Sequence, residues 1–129
     1  MPKRLIRLAS ILLALAVALG AFGAHGLKDI VSTERLSIYR TGIDYHFIHG
    51  LGLLLLGLLS FHKRHPLLRW SAICFTFGIV AFSGSLYLLT FADTVALPMG
   101  FIGPITPLGG LAFIAGWILL FLATYKIAK

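Results

Sequence analysis

Four long apolar stretches divide this chain, and their length is the feature that most limits how it can fold. They cover about residues 5–23, 41–61, 68–90 and 105–125. A helix needs about 20 apolar residues to cross the hydrocarbon core of a bilayer, and each stretch is about that long. Because 59% of the chain is hydrophobic and its mean hydropathy is +0.98, a water-soluble core has no room for so much apolar surface. With short connections, the sequence predicts one all-α membrane domain over residues 1–129, with four transmembrane helices in an antiparallel bundle.

The charged residues are segregated by connection, and this segregation predicts the orientation of the helices. Eight basic residues and no acidic ones lie before the first stretch, between the second and third, and after the fourth: Lys3, Arg4, Arg7, Lys63, Arg64, Arg69, Lys126 and Lys129. The other two connections, with the helix ends beside them, hold three basic residues and all four acidic ones. The positive-inside rule therefore places both termini in the cytoplasm. The net charge of +7 is an orientation signal, and we expect no nucleic-acid partner.

The first stretch also has the basic start, apolar middle and small-residue end of a signal peptide. Its apolar run is longer than the usual signal core, which favours a retained transmembrane helix. Cleavage would leave the predicted orientation of the other three stretches unchanged.

The second stretch, Thr41 to Phe61, carries ionisable side chains in the half that begins at Thr41. Asp44, Tyr45, His46 and His49 lie there, whereas leucine and glycine dominate the rest. At about 1.5 Å per residue, His49 lies about 12 Å inside the helix. Ionisable groups inside transmembrane helices are costly, and they are a default hypothesis for a functional site.

The predicted orientation brings further polar residues to the same, outer side of the membrane. We call the following set the outer polar cluster: His25, Tyr45, His49, Ser83, Ser85, Tyr87 and Thr106. Two interpretations stay open. The residues either hold the helices together by hydrogen bonds, or form an outward-facing binding or transport module for a small ligand, ion or cofactor, centred on His49.

Catalytic and metal-binding interpretations of this cluster have little support in the sequence. Ser83 and Ser85 with His49 lack a third, orienting carboxylate. His25 and His49 could act as axial haem ligands, but nothing else in the sequence indicates a haem cavity. Cys74 is the only cysteine and lies within an apolar stretch. We therefore predict no catalytic residue, no metal site and no cofactor.

Glycines recur on the predicted helices, where they allow another helix to approach closely. The predicted helix-packing positions are Gly20, Gly23, Gly42, Gly84, Gly109, Gly110 and Gly116.

Four motifs occur in a specific order: LGAFGAHGL at residues 19–27, TGIDYHFIH at 41–49, FSGSLYL at 82–88 and ITPLGGLAFIAGW at 105–117. Together they resemble the YgdD-like family of uncharacterised small inner-membrane proteins, classed as domain of unknown function 423. The resemblance covers nearly the whole chain. It implies four transmembrane helices and a bacterial inner-membrane location, and it implies no established chemistry.

The family pattern also bears on individual residues of the chain. It contains residues that match His25, Tyr45, His49, Ser83, Ser85 and Pro107. It more often has glutamine at the position of His46 and glutamate at that of Asp44, which argues against an essential ligand role for His46.

The function predicted from these features is that of a non-enzymatic accessory or envelope-stabilising membrane protein. The expected partners are membrane lipids and other membrane proteins, including further copies of the chain. The expected location is the bacterial cytoplasmic (inner) membrane.

Overall fold

Four helical segments of the structure are long and apolar enough to cross a membrane: Pro2–His25, Thr33–His62, Pro66–Thr90 and Gly100–Lys126. The structure is a computed structural model, and it describes residues 1–96 and 99–127. The long helices are α1 (Pro2–His25), α2 (Thr33–His62) and α6 (Ile105–Ile127). The third segment consists of α3 (Pro66–Gly78), a π-helical turn (Ile79–Ser83) and α4 (Gly84–Thr90), and a short α5 (Met99–Ile102) precedes α6. The predicted all-α class with four helices of membrane length is confirmed.

Helix α2 begins eight residues before the apolar stretch that it contains, because its start is capped. The side-chain oxygen of Ser32 accepts the backbone N–H of Arg35 at 3.2 Å, which satisfies one of the free N–H groups of the first turn. Helix α3 begins with Pro66 in its first turn, where proline costs no hydrogen bond, and the His65 ring accepts the N–H of Leu67. Helical hydrogen bonding therefore extends beyond the residues that are apolar enough to be buried in lipid.

Helix α2 is the inner helix of the domain. In the most apolar 18-residue part of α2, 50% is buried inside the protein, whereas in the corresponding part of α1 only 11% is buried. The most extensive contacts are those of α1 with α2 and of α3 with α6, and α2 also contacts α3, the π-helical turn and α4. The main core cluster draws on all of the long segments: Ala9, Leu53, Leu56, Leu68, Ala72, Phe75, Ile79, Phe113, Leu120 and Ala123.

Glycines bring α1 and α2 close together along their whole length. A Cβ at Gly23 would lie 2.5 Å from the Tyr39 ring, and one at Gly57 would lie 2.8 Å from Ile6. Between these ends, Gly20 contacts Ile43 and Gly50 contacts Leu13. Residue numbers in α1 therefore fall as those in α2 rise. Small residues permit this approach, as they do in other membrane helix pairs.

The third segment meets α2 and α6 through further glycines. Gly42 lies against Tyr87, Gly116 against Phe75, and Gly109 against the backbone of Phe82 in the π-helical turn. Gly110 makes ordinary contact with the Phe82 ring, whereas Gly84 has open space beside it, with only the Ile79 carbonyl at 4.0 Å. Gly52, Gly57 and Gly78 also pack tightly, although the sequence prediction did not include them.

Candidate functional site

The outer polar cluster does not form one pocket. Tyr45 and His49 of α2, Ser83 of the π-helical turn, Ser85 and Tyr87 of α4, and Thr106 of α6 lie in three neighbouring groups, joined by aromatic rings. His25 is exposed at the end of α1 and does not join them.

The first group surrounds His49, which is 3% exposed. Its Nδ1–H donates to the backbone carbonyl of Tyr45 at 2.7 Å, one turn earlier in α2. The indole Nε1–H of Trp117 on α6 donates to His49 Nε2 at 3.1 Å. One ring nitrogen therefore donates and the other accepts, which defines a neutral imidazole with its proton on Nδ1.

Aromatic rings pack against one face of the imidazole and around its edge. The Phe113 ring stacks on it with centroids 3.4 Å apart and planes 7° apart, and Phe75 meets it edge-on at 5.3 Å. Tyr45 stacks on the histidine at 5.9 Å and also contacts Phe82 at 4.6 Å, while it stays 40% exposed. We call His49, Trp117, Phe113, Phe75 and Tyr45 the His49 group. Neither ring nitrogen of His49 is free to bind a metal ion or a ligand.

The second group joins α2 to α4. His46 Nδ1 and the Tyr87 hydroxyl share a hydrogen bond of 2.9 Å, and Tyr87 packs on Tyr39 with ring centroids 5.2 Å apart. The Tyr39 hydroxyl in turn donates to the Leu19 carbonyl of α1 at 2.5 Å. Two hydrogen bonds and one aromatic contact thus connect His46 with the third segment and with α1.

Two buried polar atoms in this region form no hydrogen bond within the described part of the chain: His46 Nε2 and Ser83 Oγ. The Leu12 backbone lies near His46 and the Tyr87 hydroxyl near Ser83, in each case outside strict hydrogen-bond geometry. Most buried polar atoms in proteins have a partner, and these two have a nearby group that a small adjustment would bring into hydrogen-bond geometry.

The third group joins α4 to α6. The hydroxyls of Ser85 and Thr106 lie 2.6 Å apart, and Ser85 also donates to the Phe82 carbonyl at 2.8 Å. Hydroxyls commonly make such links between membrane helices. With the other two groups, this contact ties α6 to α2 and α4.

Trp117 and Phe113 are the main residues of the site that the sequence prediction missed. They are four residues apart on α6 and therefore lie on one face of the helix. One argument from the sequence could have pointed to Trp117. A buried histidine needs hydrogen-bond partners, and Trp117 is the one aromatic hydrogen-bond donor in the middle of the last apolar stretch.

The described residues contain no group of three histidine, cysteine or acidic side chains that could hold a metal ion. His49 is hydrogen-bonded to Tyr45 and Trp117, and Ser85 is hydrogen-bonded to Phe82 and Thr106. The hydrogen bonds of the three groups join α1, α2, α4 and α6 to one another.

An ion pair closes the same side of the domain, outside the apolar part of the helices. The Arg35 guanidinium at the start of α2 donates to both carboxylate oxygens of Asp93, at 2.7 and 2.8 Å, and also to the Leu89 carbonyl at 3.1 Å. The pairing with Arg35 lowers the pKa of Asp93 below its ordinary value. This bidentate pair joins the start of α2 to the turn that follows α4.

We expect the Arg35–Asp93 pair to make stability depend on pH at acid values only. A carboxyl whose pKa is lowered on folding stabilises the folded protein above its unfolded pKa of about 4 and loses this effect as the pH falls through the folded value. Thermal unfolding in detergent should therefore show a small decrease in Tm when the pH is lowered, and this decrease should be smaller in Asp93→Asn. Asp29 lies outside this contact, so Asp29→Asn serves as the control and should show the same decrease in Tm as the wild type. Equal acid dependence in wild type and Asp93→Asn would contradict this assignment.

Four helices of spanning length, with neutral polar groups and aromatic rings packed between them, define a polytopic helical membrane protein. The chain belongs to the family described as protein of unknown function (DUF423), whose model matches residues 19–110. The resemblance noted in the sequence is thereby confirmed.

Curated relatives agree with this class. A UPF0382 membrane protein of Staphylococcus epidermidis is 46% identical over 114 residues, which is 88% of this chain and 88% of the relative. The UPF0382 membrane protein YwdK of Bacillus subtilis is 42% identical over 125 residues, which is 96% of this chain and 98% of the relative. No solved structure is significantly similar to the chain. The relatives are named as membrane proteins, and their names state no activity.

Proposed function

We propose that this protein is a non-enzymatic accessory or envelope-stabilising protein of the bacterial cytoplasmic (inner) membrane. In this proposal the four helices form an antiparallel bundle with both termini in the cytoplasm, and the protein acts through contacts with lipids or other membrane proteins. The observation that carries the proposal is the His49 group, in which both ring nitrogens are used by the chain itself. The most deeply placed ionisable side chain therefore supports the fold.

A ligand site centred on His49 is the alternative, and the geometry supports it less well. A ligand at Nε2 would have to displace the Trp117 indole, and one at Nδ1 would have to break the bond to the Tyr45 carbonyl. One face of the ring is also covered, because Phe113 stacks on the imidazole at 3.4 Å.

The proposed topology is tested with single cysteines in a Cys74→Ser background. Val95→Cys lies in the exposed turn after α4, and Lys63→Cys lies in the exposed turn between α2 and α3. In intact cells, a membrane-impermeant maleimide should label Val95→Cys and leave Lys63→Cys unlabelled until the membrane is opened. Labelling of Lys63→Cys in intact cells would contradict the proposed topology and indicate the opposite orientation.

The accessory role is tested in a deletion strain that is challenged with detergent and osmotic shock. We expect the deletion to weaken the envelope, and we expect complementation with the full chain to restore it. Crosslinking in native membranes followed by purification should repeatedly capture the same lipids or membrane proteins. An unaffected envelope together with no recurring partner would contradict the role, as would a small molecule that turns over when added to the purified protein.

A further inference from the structure

An apolar furrow runs between α1 and α3 on the side of the domain opposite the outer polar cluster. Its volume is about 520 Å³, within the range of small-molecule sites. Leu5 and Leu8 form one wall, and Ala72, Ile73 and Phe77 belong to the other. The furrow exists because α1 packs mainly on α2 and α3 mainly on α6, so that α1 and α3 line a common space without close packing.

The wall formed by α3 and the start of the π-helical turn is a single stripe that begins with a charge and continues mainly as apolar surface. Arg69 begins it, and the other lining residues follow at helical intervals of three or four: Ala72, Ile73, Thr76, Phe77 and Val80. Eleven residues separate Arg69 from Val80, which is about 16 Å along a helix. The hydrocarbon core is about 30 Å thick, so the stripe has the length of about one leaflet.

The charged end of the furrow continues into two cavities that have basic residues in their lining. One, of about 320 Å³, shares Arg69 with the furrow and adds Arg64 and Ser60. The other, of about 410 Å³, shares Arg64 and adds Lys3, Arg4 and Arg7. Within the described part of the chain, the recorded ion pair is Arg35–Asp93, so Arg64 and Arg69 have no carboxylate partner. All four acids lie in other connections and their flanking helix ends.

We propose that the furrow and these two cavities form a binding site for one anionic phospholipid. An acyl chain lies along the stripe between α1 and α3, and the phosphate of the headgroup binds Arg64 and Arg69. Guanidinium groups without protein partners match phosphate oxygens in geometry and charge. A second copy of this chain fits less well, because in the same orientation it would bring its own basic cluster to this end.

This site rests on the proposed function and extends it, because it identifies a lipid partner. The proposed topology determines only which leaflet the bound lipid comes from. The positive-inside orientation places it in the cytoplasmic leaflet, where anionic headgroups attract basic residues. Detergent-solubilised protein tests the site independently of orientation.

The test compares lipid binding to purified, delipidated full-length protein by native mass spectrometry. Dioleoylphosphatidylglycerol and dioleoylphosphatidylcholine are offered in equal amounts, and the ratio of the two bound lipids is measured. We expect the anionic lipid to dominate in the wild type, and we expect Arg64→Gln/Arg69→Gln to lower the ratio by about fivefold or more. Lys63→Gln/Lys126→Gln removes the same charge from residues that line none of the three cavities, and it should change the ratio by less than about twofold.

A second pair of variants tests the acyl-chain part of the site. Thr76→Phe fills the furrow and should lower total lipid binding, whereas Ile118→Phe enlarges an exposed side chain of α6 and should not. Circular dichroism and gel filtration verify that each variant is folded. Equal losses in the two charge variants would show general electrostatic attraction and overturn the site, as would an unchanged ratio in Arg64→Gln/Arg69→Gln or unchanged binding in Thr76→Phe. The lipid-binding results could match these expectations while Lys63→Cys is labelled from outside the cell. That combination would contradict the proposed topology and still support the lipid site.

Discussion

Replacing Gly109 with alanine is expected to lower the free energy of unfolding of the domain by about 2–3 kcal/mol, because the new methyl group overlaps a backbone that cannot move away. A Cβ at this position would lie 2.8 Å from the Cα of Phe82 and still closer to its backbone nitrogen. Phe82 belongs to the π-helical turn and also packs on Tyr45 and Phe113, so it is held on several sides. The overlap can therefore be removed only if α6 moves away from the third segment.

Gly110 provides the matched control on the next residue of α6. A Cβ there would meet only the side chain of Phe82, at 3.7 Å, which is ordinary contact. Alanine also has a higher helix propensity than glycine, by about 1 kcal/mol, so Gly110→Ala should be neutral or slightly stabilising. Unfolding by sodium dodecyl sulfate in mixed micelles, followed by circular dichroism, measures both variants. If Gly109→Ala is as stable as Gly110→Ala, the close contact of α6 with Phe82 is absent from the protein.

The second large effect is expected at His49. Replacement by alanine should cost about 3 kcal/mol, because it leaves a cavity among Phe113 and Phe75 and removes the acceptor of the Trp117 indole N–H. His49→Phe keeps a ring that can stack on Phe113 and loses only the two hydrogen bonds. We expect it to cost about half as much as His49→Ala, since hydrogen bonds in membrane proteins contribute about 0.6–2 kcal/mol each.

A double-mutant cycle separates the hydrogen bond from the packing. Trp117→Phe, His49→Phe and the double variant should show a coupling energy of about 0.6–1.7 kcal/mol between the two side chains. The same unfolding assay and intrinsic fluorescence, with Trp70 as the remaining tryptophan, provide the measurement. Additive effects would mean that His49 and Trp117 act independently, and the ring nitrogen would then be available for a ligand.

The sequence predicted the long helices well because their signal is strong and local. Four apolar stretches and the position of His49 within the second one follow from composition and from the rise per residue. Most of the outer polar cluster does lie in one half of the domain, since depth along a helix depends only on counting residues.

The partners of these residues could not be predicted in the same way. Helix α6 is apolar on every side, so its sequence does not show which face points to α2, and Trp117 remained only a bulky neighbour of Gly116. His25 was placed in the cluster by depth alone, yet it lies at the exposed end of α1, directly before the turn at Leu27–Asp29. Depth gives the level of a residue in the membrane, whereas contacts also require its angle around the helix.

The π-helical turn at Ile79–Ser83 shifts the angular position of every residue that follows it in the third segment. A π turn accommodates one residue more than an α-helical turn, so counting at about 100° per residue assigns Gly84, Ser85 and Tyr87 to the wrong sides. The same geometry makes this point of the chain tolerant to a change in length. A homologue with one residue fewer here would form an unbroken α-helix. Its counterparts of Ser85 and Tyr87 would still point towards those of Thr106 and His46. A single gap in an alignment at this place would therefore leave the helix packing unchanged.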